Sequence, residues 1–248
     1  MITMLMYPIR LRVHIAPVGY EQERIYKPLI GMKADRVWLL VYNKDNKAQV
    51  YQQKVEETLD RAHITHKTAT CDITDLYDVL RALREIINKE EGNDIYINVS
   101  SGTKIEAIAG MMMSMIMSDT IVIQSYYVVP KKYNNEPKNG EPLSTGTREV
   151  FQLPRYPINR PGTHLIDLLK ILDSHKGRMS KRELIEEAER LSLIKAGLKN
   201  PKQSLYISLT KKYLEPLESW KSIKIIKEGR SRKILPTEEG KNMLKFLG

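Results

Sequence analysis

A single cysteine, Cys71, stands among 248 residues, so an internal disulfide framework is excluded. No charged-then-apolar leader opens the chain, and its most apolar segment, Ala107 to Met117, stops at Ser118-Asp119, too short to span a bilayer. A cytoplasmic setting away from membranes is expected. Internal repeats and low-complexity tracts are absent, and so are metal-ligand spacings, a nucleophile elbow and a fused nuclease signature. No metal and no resident cofactor is therefore expected. The 5 histidines are scattered. His14 lies inside a strand pattern, His63 and His66 flank a strand, and His164 and His175 belong to the C-terminal part, so none offers itself as a general base.

What is present is an uneven charge. The net charge is +10, yet residues 1–157 hold 20 Lys or Arg against 19 Asp or Glu, while residues 158–248 hold 20 against 11. Nine of the ten excess positive charges thus sit in the last 91 residues. A basic module joined to a neutral one points to nucleic-acid binding by the smaller part and another task for the larger. The expected domains are 1–157 and 158–248, joined through Pro154, Pro157 and Pro161.

The first part alternates strand and helix patterns. Strands are expected over Leu11 to Ala16, Val37 to Tyr42, Lys67 to Cys71, Ile95 to Val99, Thr120 to Val129 and Arg148 to Leu153. Helices fall at Glu21 to Ile30, at Val50 to Ala62, after a cap at Asp72 or Thr74, and over the Met-rich segment. Lys131 to Gly140 reads as an exposed loop or hairpin tip. The fold class is α/β, a Rossmann-like mostly parallel sheet whose ligands bind beyond the carboxyl ends of the strands. The Met111 to Met117 run is apolar on all sides and is expected in the core or at a dimer interface.

Ser100-Ser101-Gly102-Thr103-Lys104 stands where the Ile95 to Val99 strand gives way to that helix. Gly102 permits close backbone approach, unpaired amides at the helix start face outward, and Thr103 and Lys104 add a hydroxyl and a charge. A phosphate site is expected. It is no Walker A loop, because the upstream glycine is missing and Ile105 follows the lysine. Gly19, Asn43 and Asp72 fall at the same sheet edge.

The basic part reads as a smaller winged helix-turn-helix domain. Leu165 to Leu172 is a first helix, and Ser180-Lys181-Arg182-Glu183 is a capping box opening a second. The candidate recognition helix, from about Gln203 to Leu217, presents Lys202, Gln203, Ser204, Tyr206, Ser208, Lys211 and Lys212. A β-hairpin from Ile223 to Leu235 carries Arg230, Arg232 and Lys233 at and beside its tip. One helix for the major groove and a basic wing for the backbone suit double-stranded DNA.

Together the Ser-Ser-Gly-Thr-Lys turn after the fourth strand, the first strand ending at Gly19 and the C-terminal winged helix resemble the CARF-domain transcriptional regulators of archaea. Where many members have two glycines in that turn, this chain has Ser101-Gly102. The resemblance implies a homodimer with a cyclic oligoadenylate effector across its two-fold axis. By position it implicates Pro17, Val18, Gly19, Asn43, Lys44, Ser100, Ser101, Gly102, Thr103 and Lys104. It also implies a ligand-responsive regulator as the function. The alternative is a metal-independent ring nuclease cleaving its own cyclic oligoadenylate, with Thr103 and Lys104 stabilising developing charge.

Overall fold

A computed structural model describes residues 9–42, 48–117, 122–138, 141–156, 158–175, 178–197, 200–229 and 231–248. The chain divides into two compact units, Met1–Ile158 and Asn159–Gly248.

The first unit runs β1 (Arg12–Pro17), α1 (Glu23–Gly31), β2 (Arg36–Tyr42), α2 (Ala48–Arg61), β3 (Thr65–Cys71), α3 (Leu76–Lys89), β4 (Asp94–Asn98), α4 (Lys104–Ile116) and β5 (Ile123–Val129). Two short strands, β6 (Lys132–Tyr133) and β7 (Ser144–Thr145), follow, and β8 (Glu149–Gln152) closes the unit. Strand β6 lies within the Lys131 to Gly140 stretch expected as a loop or hairpin tip, and its partner β7 lies just beyond it. The main sheet has the order β3-β2-β1-β4-β5-β8, parallel throughout except for antiparallel β8 at one edge. Apolar runs such as Val37 to Val41 make buried strands because both sheet faces are covered. Right-handed crossovers put α1 and α2 on one face and α3 and α4 on the other, since the chain reverses its direction of travel at β1. Ala16, Val37 and Leu39 pack with Ile25, Leu29, Val55 and Leu59 of α1 and α2.

One local expectation is corrected. Asp75, rather than Asp72 or Thr74, caps α3, its carboxylate accepting the Tyr77 amide at 2.9 Å. Asp72 is engaged one step earlier, accepting the Thr74 amide at 3.0 Å and the Thr74 hydroxyl at 2.5 Å. Such a local turn competes with the cap.

The second unit runs α5 (Thr163–Ser174), β9 (Met179–Ser180), α6 (Lys181–Arg190), α7 (Pro201–Leu209), a π-helical turn (Thr210–Leu214), α8 (Glu215–Ser219), β10 (Ile223–Glu228), β11 (Ser231–Pro236) and α9 (Glu238–Leu247). The sheet order is β10-β11-β9, all antiparallel. Leu165, Leu168, Leu169, Leu184, Leu209, Leu217 and Ile234 share its core, and the Ser180–Glu183 capping box opens α6. The third helix, expected as one α-helix, is interrupted by the π turn, where the Glu215 amide bonds back to the Thr210 carbonyl. Pro216 is the physical reason: it lacks an amide for the Lys212 carbonyl, and a proline ring crowds the carbonyl four residues back. No helix among the described residues is long and apolar enough to cross a membrane.

Candidate ligand cleft and nucleic-acid interface

Strand β1 pairs in parallel with both β2 and β4, so the crossovers diverge at the β1/β4 junction. At such a switch point the loops leaving the two strands part and open a crevice. Here it is a cleft of about 330 Å³, lined by Val18, Gly19, Tyr20, Glu21, Tyr42, Tyr51, Ile73, Gly102, Thr103, Glu106 and Leu143.

Buried polar side chains fix the loop geometry. The Asn98 Nδ2 donates to the Arg24 carbonyl at 2.9 Å, while its Oδ1 accepts the Ser100 amide at 2.9 Å and the Ser100 hydroxyl. The Ser101 hydroxyl donates to the Pro17 carbonyl at 2.8 Å, tying the β4–α4 turn to the end of β1. A Cβ on Gly19 would stand 2.8 Å from the Gly102 nitrogen, so the two loops touch backbone to backbone. Gly102 itself has φ +76°, and a Cβ there would fall 2.5 Å from both Pro17 Cβ and Glu106 Oε2. Only glycine meets both demands.

The helix start differs from the expected row of unpaired amides. Thr103 is the N-cap of α4, its hydroxyl accepting the Glu106 amide at 3.2 Å, and Glu106 reaches back to accept the Thr103 amide at 2.6 Å. This reciprocal capping box uses two of the donors assigned to phosphate. Burial pushes the Glu106 carboxyl up to about 7, opposed only in part by the bonds from Thr103. Beside the cleft, burial and the neighbouring Glu106 push the Cys71 thiol up to about 12, so it is un-ionised. Tyr20 and Tyr51 meet edge to face, ring centroids 4.9 Å apart, forming an aromatic wall.

Of the residues read from the sequence, Val18, Gly19, Gly102 and Thr103 line the cleft. Ser100 and Ser101 are buried in the turn, and Pro17 anchors it. Lys104 is exposed in the first turn of α4 and is not among the lining side chains. Asn43 and Lys44 lie outside the described residues. Sequence reasoning missed Tyr20, Glu21, Tyr42, Tyr51, Ile73, Glu106 and Leu143; the Thr103-x-x-Glu106 spacing was the one local signal. His14 is fully buried, stacked on Tyr96 at 4.9 Å with its Nδ1 3.1 Å from the Tyr126 hydroxyl. Burial, then the nearby Arg12, pushes it down to about 3.

In the second unit Lys202, Gln203, Tyr206, Lys211 and Lys212 are exposed along the third helix, while Ser208 is half-buried. Lys211 pairs with Glu215 at 2.9 Å. Ser204 braces the helix start instead, donating to the Pro201 carbonyl at 2.7 Å and accepting the Gly197 amide at 2.8 Å. The wing turn begins at Gly229, φ +58°; Arg230 lies outside the described residues. Arg232 is exposed and lines a groove with Lys181, Thr210 and Lys227. Lys233 is ion-paired to Glu183 at 3.0 Å.

Two family models match the chain. Residues 12–133 match a domain described as HFX_2341_N-like, N-terminal, and residues 164–248 match the DUF6293 C-terminal winged helix domain. The two matches follow one another as the Rossmann-like sheet and the winged helix do in the chain. An uncharacterized protein of Methanocaldococcus jannaschii is 29% identical over 201 residues, covering 71% of this chain and 59% of that protein. The chain therefore spans about six-tenths of the curated relative it matches. Among solved structures, Can2 from Sulfobacillus thermosulfidooxidans, in complex with cyclic tetra-adenylate, is 19% identical with a TM-score of 0.39, covering 47% of this chain and 31% of its own. Csm6 of Enterococcus italicus, bound to cyclic hexa-2'-fluoro-hexa-dAMP, is 12% identical with a TM-score of 0.42, covering 86% of this chain and 57% of its own.

Proposed function

We propose that the first unit is a CARF-type sensor and that the protein is a dimeric transcription regulator that binds double-stranded DNA through its winged helix in response to a cyclic oligoadenylate or a similar phosphate-rich nucleotide. The observation that carries the reading is a tyrosine-walled cleft at the switch point, in one chain with a winged helix whose segment holds nine of the ten excess positive charges. At about 330 Å³ the cleft lies at the small end of ligand pockets, about 300–1,000 Å³. That is room for one nucleoside rather than a whole ring, so a cyclic oligonucleotide would be shared between clefts of two protomers.

A stripe on α4 supports the dimer. Ile108 is 54% exposed, and Met111, Met112 and Met115 are half-buried at the spacing of one helix face. A ligand with two-fold symmetry needs a two-fold pocket, and it changes DNA binding only if it prefers one dimer arrangement. Mass spectrometry of nucleotides released from the purified protein tests the ligand class, and a gel shift with and without cyclic tetra-adenylate tests the response. An unchanged gel shift on addition of a nucleotide that binds refutes the coupling. Linear products after incubation would replace the sensor with the ring nuclease.

A further inference from the structure

The cleft at the switch point has two charged lining side chains, Glu21 and Glu106, and both are acidic; no Lys, Arg or His lines it among the described residues. Glu106 is only 3% exposed. Its Oε2 holds the Thr103 amide at 2.6 Å and occupies the space where a side chain on Gly102 would begin. Glu21 Oε2 lies 3.5 Å from the corresponding point on Gly19. The seat that helix-terminal amides would offer a phosphate is thus filled from within by a carboxylate. A phosphoryl oxygen entering it would meet like charge where little water screens the repulsion. A carboxylate attracts N–H and O–H donors instead. Tyr20, Tyr42 and Tyr51 line the same space, and tyrosine rings stack on nucleobases of any identity.

Resting on the reading of this cleft as a nucleotide site, we propose that Glu106 is its specificity-determining residue, admitting the nucleoside through its amine and hydroxyl donors and leaving the phosphates outside, toward exposed Lys104. Among the described residues, the groups facing Glu106 are Thr103 on its own helix, Pro17 and Gly102 from the two loops, Cys71 at the end of β3, and Glu21 across the cleft. None of these is a cation that could neutralise it, and the Cys71 thiol is un-ionised.

The proton count on binding separates the two arrangements. With its carboxyl near 7, Glu106 is about half protonated at neutral pH. Donors bonded to the carboxylate favour its charged form and release up to roughly half a proton, whereas phosphate alongside it causes uptake of similar size. Calorimetric titration of the full chain with cyclic tetra-adenylate at pH 7, in two buffers of different ionisation enthalpy, reads that number. Release is expected, and it should disappear in Glu106→Gln together with a roughly tenfold loss of affinity, as a charge-assisted bond becomes a neutral one. Glutamine also serves in a capping box, so the start of α4 is retained. Proton uptake by the parent, or a variant that binds as tightly or more tightly, overturns the proposal. If Glu106→Gln does not fold, the parent's proton count decides alone. If cyclic tetra-adenylate does not bind at all, the function reading fails, and titrations with adenosine alone and inorganic phosphate alone decide this proposal. It stands if adenosine binds and phosphate does not, and it falls with any other pattern.

Discussion

Two buried titratable groups in the first unit oppose each other, and their opposition is measurable. His14 is held neutral, its pKa pushed from 6.5 to about 3, chiefly by burial. Between those values the unfolded chain takes a proton that the folded chain refuses, so stability is lost as pH falls below 6.5. Glu106 is pushed the other way, from 4.5 to about 7, again chiefly by burial. Between those values the folded chain keeps a proton that the unfolded chain has released, so stability is lost as pH rises through 7. Each group alone gives a slope of about 1.4 kcal/mol per pH unit. The windows overlap from 4.5 to 6.5, where the slopes cancel. Across those two pH units His14→Phe should unmask a fall of about 2.7 kcal/mol with rising pH, and Glu106→Gln a rise of about the same size. Each substitution also adds a constant offset, from the lost Tyr126 contact or a weaker cap, but an offset does not tilt the profile. Urea melts at half-unit pH steps, followed by Trp38 fluorescence in a Trp220→Phe background, read the first unit. Profiles of both variants parallel to the parent's would refute the opposed pair.

Gly92→Ala, at φ +88° in open space, should cost about 1–2 kcal/mol from backbone strain alone. Gly102→Ala should cost a further 1–3 kcal/mol or so from overlap with Pro17, and equal urea midpoints for the two would refute the close packing of the loops. Lys202→Ala with Lys212→Ala should shallow the salt dependence of DNA binding by roughly two units of log-log slope, whereas Lys233→Ala, whose charge is already paired with Glu183, should change it less. A slope unaltered by the double substitution removes the third helix from the interface. Ile108→Glu should convert a dimer to monomer in light scattering, and a dimer that survives it rules out the α4 stripe as the contact.

The elements were legible in the sequence because burial on both faces of a parallel sheet demands unbroken apolar strands, and Arg36–Tyr42 could hardly be anything else. The loops of the cleft were legible for a related reason: Gly19 and Gly102 stand in the short segments that leave two strands, where a glycine signals backbone approach. Its walls were not. Tyr42, Tyr51, Ile73 and Leu143 come from four separated stretches, and only the order β3-β2-β1-β4-β5, which no local pattern encodes, brings them to one edge. The third helix shows the same division. Its exposed lysines follow from spacing, but the π turn depends on how the chain accommodates Pro216 inside a helix whose Tyr213 hydroxyl is held by the Leu193 carbonyl at 2.5 Å.

Glu106 marks the boundary between the two kinds of information. Thr103 followed by Glu106 spells a capping box in the sequence alone, and that spacing already implies that two amides of the supposed phosphate seat are used. Sequence could not say that the carboxylate would be drawn almost wholly out of water. That follows from the positive φ of Gly102, which opens the space the carboxylate fills, and from the Ser101 bond to Pro17, which closes the β1 loop against it. A glycine chosen for close approach to a ligand and a glycine chosen to seat an internal carboxylate look identical in a sequence. The electrostatic consequence is opposite, since the first leaves a helix terminus free for an anion and the second gives it one already.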